Sequence, residues 1–166
     1  MQANLKSLLK RLLEHEIDFV LVGGFAGMVH GSPLLTWDLD ICLRIDEVQV
    51  LKLREALKDL SPRHRMNPSF KPSFLDHPEN PTGMKNIYLE TDLGILDAMS
   101  ELRPLGDFSR IKSAAIQVPL YGFQCWVISI ADLIAIKETM TRPKDKETVL
   151  YLREVLKRKI NNKKGD

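Results

Sequence analysis

The sequence FVLVGGFAGMVHGSPLLTWDLDICLRI, residues 19–45, predicts a strand, a tight turn, a short helix, a second turn and a second strand. The β-branched and aromatic residues of the apolar run 19–22 favour the pleated conformation. Two glycines follow, and glycine permits the positive φ angles and the close approach that a tight turn requires. The small-residue segment 25–30 predicts the short helix, and Gly-Ser-Pro at 31–33 predicts the turn into the second strand.

Two carboxylates, Asp38 and Asp40, lie on the second of these strands. Side chains alternate along a strand, so both acids point to one face while Leu39 and Ile41 point to apolar packing on the other. Two acids on one face repel each other and lose hydration. A divalent cation removes both costs, and Mg²⁺ takes oxygen ligands together with substrate phosphates. Taken alone, such a pair is more often two incidental acids at a solvated strand end.

The glycine pair upstream, Gly23 and Gly24, favours the metal interpretation. The pair precedes the short helix, and backbone N–H groups at a helix N-terminus bind phosphate. A phosphate-binding turn followed by two acids indicates a nucleotide site.

The run V-G-G-F-A-G-M-V-H-G-S-P-L-L-T-W-D-L-D-I, residues 22–41, resembles the signature of the nucleotidyltransferase superfamily, which has the polymerase-β-like fold. Within that superfamily it is most similar to small bacterial proteins grouped with the AbiEii toxins. The resemblance implies that Gly23, Gly24 and Thr36 bind a nucleoside triphosphate. It also implies that Asp38 and Asp40 are catalytic ligands of Mg²⁺ or Mn²⁺.

The chain departs from the superfamily pattern at two positions. Phe25 stands where many members have Ser after the glycines, and Leu34 stands where many close relatives have Arg. Both departures concern the nucleotide contacts, and neither removes the carboxylates.

A third acid, Asp97, lies in I-Y-L-E-T-D-L-G-I-L-D-A-M, residues 87–99, which predicts two strands meeting at a turn near Thr91. The superfamily carries its third acid on a Gly-x-x-Asp strand, and Asp97 matches that position. Asp92 and Glu90 are weaker candidates because they sit at the turn. We expect Asp97 to converge with the other two acids at roughly 4–7 Å, since three carboxylates suit two Mg²⁺ ions and an in-line displacement. The alternative is a strand end in solvent.

The C-terminal part continues the resemblance. Ser129 is a predicted N-cap for I-A-D-L-I-A-I-K, residues 130–137, and R-P-K-D follows at 142–145. Leu133, Ile136 and Met140 are expected to form the buried face of that helix. The resemblance implies that Lys137 and Lys144 bind phosphates of the nucleotide. For Lys144, a role at the start of the last helix, expected over 144–160, remains an equal alternative.

The rest of the chain predicts helices at 5–13 and 47–59, with Asp46 as the N-cap of the second, and strands at 115–118 and 124–128. Residues 61–86 are rich in proline and predict a flexible rim of the cleft with one short strand near residues 65–66. Residues 101–120 predict a linker that leads into the 115–118 strand.

These elements predict an α/β (α+β) fold, a mixed β-sheet flanked by helices, with C-terminal helices. The length of 166 residues predicts a single domain, with a core over about 15–128 and a helical part over about 129–160. Two lone cysteines fit a reducing compartment, and no segment resembles a signal or a membrane span. We therefore expect a cytoplasmic protein with no membrane partner.

The sequence leads to one main hypothesis and two rivals. The main one is transfer of a nucleotidyl group from an NTP to a hydroxyl of RNA, protein or a small molecule. The resemblance to the AbiEii toxins favours a toxin role with an antitoxin partner. The first rival is a binding module of the same fold without catalysis, which Phe25 and Leu34 favour. The second is an RNA-binding protein that uses the basic tail at 157–164, although a net charge of +2 is a weak bias.

Overall fold

The computed structural model of the chain describes residues 3–165. Within this range the chain forms six helices and nine strands. The helices are α1 Leu5–Glu14, α2 Gly23–Val29, α3 Glu47–Leu57, α4 Phe108–Ala114, α5 Ile130–Glu138 and α6 Pro143–Lys164. The strands are β1 Phe19–Val22, β2 Asp38–Leu43, β3 Arg63–His64, β4 Asn86–Thr91, β5 Gly94–Met99, β6 Glu101–Leu102, β7 Gly106–Asp107, β8 Ile116–Leu120 and β9 Phe123–Val127.

Seven strands form one mixed sheet in the order β3-β4-β5-β2-β1-β9-β8. β2 pairs antiparallel with β1 and parallel with β5, and β1 pairs parallel with β9. β6 and β7 form a separate two-stranded sheet. The expected mixed α/β architecture with C-terminal helices is therefore confirmed.

The strands at the middle of the sheet carry the core. All four residues of β1 are buried, which explains why that segment reads as a continuous apolar run. β2 instead alternates at its start: Leu39 and Ile41 are fully buried, while Asp38 and Asp40 are half-buried on the opposite face. The pleat thus holds the acids on one face by burying their neighbours on the other.

Helices pack on the sheet through apolar faces, which are visible in the sequence as leucines at helical spacing. Helix α1 buries Leu5, Leu8, Leu9 and Leu12, whose spacing places them on one helical face. The expected caps of two helices are present, because the Asp46 side chain accepts from the backbone N–H of Gln49 and the Ser129 side chain from that of Asp132.

The segment 101–120 differs from the linker expected there. It contains β6, β7 and the helix α4 before the strand β8. Asp107 is the N-cap of helix α4, because its side chain accepts from the backbone N–H of Arg110, and the helix buries Phe108 and Ile111. The helix has seven residues, so its apolar repeat is too short to give a clear sequence signal.

Three further expectations were displaced. The short strand expected near residues 65–66 lies at Arg63–His64, where it pairs antiparallel with β4. The last helix begins at Pro143, because proline is tolerated at the first position of a helix. Met140, expected on the buried face of the preceding helix, lies beyond the end of α5 and is 37% exposed.

No helix among residues 3–165 combines the length and the apolar character that crossing a membrane would require. The division into a core and a C-terminal helical part stays a prediction.

Leu39 offers a test of the burial that aligns the acids. Leu39→Ala should lower the free energy of unfolding by about 2–5 kcal/mol, because a fully buried leucine leaves a cavity. Leu35→Ala is the matched control: Leu35 is 64% exposed, so we expect a change within about 0.5 kcal/mol. Urea unfolding followed by circular dichroism measures both. Equal costs for the two variants would contradict the assignment of the buried face.

Candidate active site

The three acids singled out in the sequence come together on one face of the sheet. β2 and β5 are neighbouring parallel strands, and their register places Asp40 beside Asp97. Asp38, Asp40 and Asp97 each offer a carboxylate oxygen, and these oxygens all lie within 4.8 Å of one another. Oxygen is the donor that Mg²⁺ and Mn²⁺ prefer, so this donor set fits the metal that the resemblance implies.

The charges of this cluster are only partly compensated. Burial first, and then the charges of Asp38 and Asp97, raises the pKa of Asp40 to about 7. Burial also raises the pKa of Asp97, although its pairing with Arg65 opposes that rise. Asp40 thus carries the largest electrostatic cost, which a bound cation would relieve.

Two glycines make room for this arrangement. Gly23 has φ +65°, and a Cβ on it would lie 2.1 Å from Oδ2 of Asp40. A Cβ on Gly24 would lie 2.9 Å from the side chain of Thr36. The glycine pair is therefore required for the packing of Asp40 and Thr36, and its part in phosphate binding stays a prediction.

Thr36 orients the first acid. Its Oγ1 donates to Oδ1 of Asp38 at 2.7 Å. This bond fixes one carboxylate oxygen of Asp38 and leaves the other without that constraint. Thr36 also lies beside Gly24, so it connects the start of helix α2 to the acidic cluster.

A cationic cluster from the C-terminal helices lies beside the acids. Lys137 Nζ donates to Asp145 Oδ1 at 2.9 Å, and Arg142 Nε donates to Asp145 Oδ2 at 2.7 Å. Asp145 is 1% exposed, so it is a buried anchor for both cations. Burial pushes the pKa of Asp145 upward, but the hydrogen bonds from Arg142 and Lys137 outweigh it and hold the pKa below its ordinary value. Lys144 Nζ donates to the backbone carbonyl of Leu35 and ties helix α6 to the segment before β2.

Two cavities flank the acids. The large cavity, about 240 Å³, has a mostly apolar wall and is lined by Val22, Gly23, Asp38, Asp40, Asp97, Met99, Leu102, Leu133, Ile136, Lys137, Met140 and Arg142. The narrow cavity, about 70 Å³, is polar and is lined by Gly24, Ser32, Leu34, Thr36, Asp38, Asp40, Lys137, Arg142, Lys144, Asp145 and Thr148. Asp38 and Asp40 lie at the junction of the two.

The departures at Phe25 and Leu34 have different consequences. Phe25 is 8% exposed and lines a third cavity with Leu5, Met28 and Trp37, so its side chain serves packing. Leu34 lines the narrow cavity, where it supplies an apolar contact in place of a charge.

Arg65 is a site residue that the sequence did not indicate. Its Nη2 lies 2.6 Å from Oδ1 and 2.5 Å from Oδ2 of Asp97. Arg142, the other cation missed as a site residue, lines both cavities. Arg142 had a signal in the R-P-K-D motif. Arg65 had none, because it comes from the proline-rich segment and its position depends on the order of the strands.

The raised pKa of Asp40 gives the metal-free protein a pH dependence. Between an ordinary pKa of 3.8 and about 7, folded Asp40 holds a proton that the unfolded chain has lost, so its contribution to stability falls as pH rises through that window. The Asp40→Asn variant has no carboxyl group at this position, so its stability does not fall for this reason as pH rises. We expect the variant to exceed the wild type by about 1–3 kcal/mol at pH 8 in chelator, and by less at pH 4.5. Urea unfolding at both pH values measures the difference, and a gap independent of pH would contradict the shift.

Solved structures with a similar fold include an antibiotic adenylyltransferase and an antibiotic-resistance factor. The lincomycin-bound lincosamide antibiotic adenylyltransferase LnuA matches 92% of this chain and 96% of its own, at 14% identity and a TM-score of 0.63. The antibiotic-resistance factor ANT(2'')-Ia matches 99% of this chain and 97% of its own, at 11% identity and a TM-score of 0.53. No family model and no curated protein matches the sequence. At these identities the likeness shows the fold alone, and it agrees with the mixed α/β architecture expected from the sequence.

Proposed function

We propose that this chain transfers a nucleotidyl group from an NTP to a hydroxyl acceptor, with Mg²⁺ or Mn²⁺ held by the acids of the sheet. The observation that carries the proposal is the convergence of Asp38, Asp40 and Asp97 within 4.8 Å at the junction of the narrow polar cavity and the large cavity with a mostly apolar wall. A structural acid cluster has no need of both cavities.

Asp38 and Asp40 would hold the metal, since both line both cavities, and Asp97 would complete the donor set. A divalent ion held by these acids would supply positive charge that stabilises the negative charge developing on the phosphoryl oxygens. Thr36 prepares the site by fixing one oxygen of Asp38.

The narrow cavity suits the phosphates of the nucleotide. Lys144, Lys137 and Arg142 bring positive charge to it, and Thr36 brings a hydroxyl group. Asp145 fixes the positions of Lys137 and Arg142, so their charge is in place before substrate arrives. These cations would stabilise the pyrophosphate as it leaves.

The large cavity suits the acceptor. Asp97 lines this cavity and not the narrow one, as far as residues 3–165 describe them. A carboxylate oxygen of Asp97 is therefore placed to take the proton of the attacking hydroxyl. RNA, protein and small molecules remain candidate acceptors, and the antibiotic substrate named for LnuA makes a small hydroxyl compound a useful first probe. A toxin role with an antitoxin partner rests on the AbiEii resemblance.

A binding module without catalysis is the second candidate. The observation that favours it is that charged groups of the site are already paired, Asp97 with Arg65 and Lys137 with Asp145. Such a module would bind nucleotide without turning it over.

Asp40→Asn should lower nucleotidyl transfer by a factor of about 10³ or more, because the acid at the junction of the cavities can no longer hold the metal. Asp92→Asn is the matched control, since Asp92 is an exposed acid at the β4–β5 turn. The assay incubates each protein with labelled NTP and Mg²⁺ and follows the label into RNA, protein extract and lincomycin.

Two results of that assay would count against the proposal. A wild type that binds NTP but labels no acceptor supports the binding module. An Asp40→Asn variant as active as Asp92→Asn removes Asp40 from the mechanism.

Lys144 tests the narrow cavity. Lys144→Ala should raise the KM for NTP about tenfold and change kcat less, because a phosphate-binding charge acts in the ground state and the transition state alike. Lys146→Ala removes an exposed lysine from the same helix and should leave KM unchanged. Initial rates at varied NTP separate the two. If both variants keep the wild-type KM, Lys144 serves only the start of α6.

A further inference from the structure

The pairing of Arg65 with Asp97 engages both oxygens of a carboxylate that the proposed site needs. Arg65 Nη2 lies within 2.6 Å of each oxygen, and Nε lies 3.2 Å from Oδ1. The carboxylate of Asp97 is 12% exposed and the side chain of Arg65 is 26% exposed. This is a charge-assisted, bidentate contact in a largely desolvated place.

The sheet itself delivers Arg65 to this position. Arg65 follows β3, and its backbone N–H donates to the carbonyl of Tyr88 on β4. Tyr88 in turn lies opposite Asp97 on β5, and Asp97 lies beside Asp40 on β2. The guanidinium passes over the ring of Tyr88, 5.6 Å from its centroid, to reach across β4 to Asp97. A row of neighbouring residues thus runs from Arg65, after β3, across β4, β5 and β2 to the acids.

We propose that Arg65 is a positioning residue that withholds Asp97 from the metal in the nucleotide-free protein, so that Asp38 and Asp40 alone hold the first cation. This inference rests on the proposed function. A divalent cation and a guanidinium cannot both sit against the two oxygens of Asp97 without strong repulsion. Arg65 must therefore leave before Asp97 completes the donor set or takes a proton.

The position of Arg65 allows such a release. β3 is the edge strand of the sheet, and the residues after it are open to solvent, with Met66 64% exposed and Phe70 60% exposed. The base of the same segment is fixed, because Phe74 is fully buried and its carbonyl accepts from Arg54. A change of side-chain rotamer can take the guanidinium of Arg65 into solvent while the backbone stays in place.

A second pair in which one arginine contacts both oxygens of a carboxylate, Arg110 with Asp132, supplies the control. Arg110 also engages both oxygens of a carboxylate: its Nη1 donates to Oδ2 of Asp132 at 2.9 Å and its Nη2 donates to Oδ1 at 3.0 Å. Neither residue lines the two cavities, as the described residues 3–165 define them. Removing Arg110 changes the net charge by the same amount as removing Arg65, yet it leaves the acidic cluster untouched.

The first experiment is calorimetric titration of Mn²⁺ into the full chain without nucleotide. Arg65→Ala should bind Mn²⁺ about tenfold more tightly than the wild type, because the competing cation is gone. Arg65→Lys keeps the positive charge but cannot contact both oxygens as a guanidinium does, so its affinity for Mn²⁺ should lie between those of the wild type and Arg65→Ala. Arg110→Ala should match the wild type. The Lys variant keeps the test valid if the Ala variant fails to fold by circular dichroism.

The second experiment observes Arg65 directly. The Arg65 side-chain Nε–H resonance, assigned by its absence in Arg65→Lys, should stay in place when Mg²⁺ is added alone. It should shift when Mg²⁺ and a non-hydrolysable NTP analogue are added together. A shift with Mg²⁺ alone would overturn the inference.

The remaining outcomes separate the inference from the function it rests on. Equal or weaker Mn²⁺ binding by Arg65→Ala, in a protein whose wild type binds Mn²⁺, overturns the inference and leaves the proposed function standing. Absence of Mn²⁺ binding in every variant overturns both.

Discussion

The parallel pairing of β2 with β5 is the interaction on which the rest of the site depends. Its register puts Asp40 beside Asp97, and the period of the strand puts Asp38 on the same face. Burial first, and then the charges of Asp38 and Asp97, raise the pKa of Asp40, so three ionised acids at this place are unfavourable in the metal-free protein. The opposite face, with Leu39, Ile41 and Leu96 fully buried, supplies the packing that outweighs this repulsion.

Counter-charges reach the acids from two parts of the chain that are distant in sequence. Arg65 arrives from the edge strand side and pairs with Asp97. Lys137 and Arg142 arrive from the C-terminal helices, where buried Asp145 fixes both. The two groups differ in what they can release. Asp97 pairs with one arginine, which follows an edge strand, whereas Asp145 is 1% exposed and accepts from two cations at once.

Local patterns in the sequence predicted what local geometry determines. The alternation around Asp38 and Asp40, the glycine pair and the caps at Asp46 and Ser129 follow from spacing alone. Asp97 needed the family resemblance, because its approach to Asp40 depends on strand order. Arg65 was missed for the same reason, since the strands β4 and β5 lie between it and Asp40, and it comes from a segment with no periodic pattern. Helix α4 was missed because its seven residues are shorter than two full turns.

The glycine pair and the acid pair are one geometric unit. β1 and β2 pair antiparallel with Val22 opposite Asp40, so the residue after Val22 must turn away directly beside that carboxylate. Gly23 does so at φ +65°, and a Cβ there would take the space of Asp40 Oδ2. The two motifs therefore constrain each other through packing before any ligand binds. A larger residue at position 23 would therefore displace the carboxylate of Asp40 from the acidic cluster.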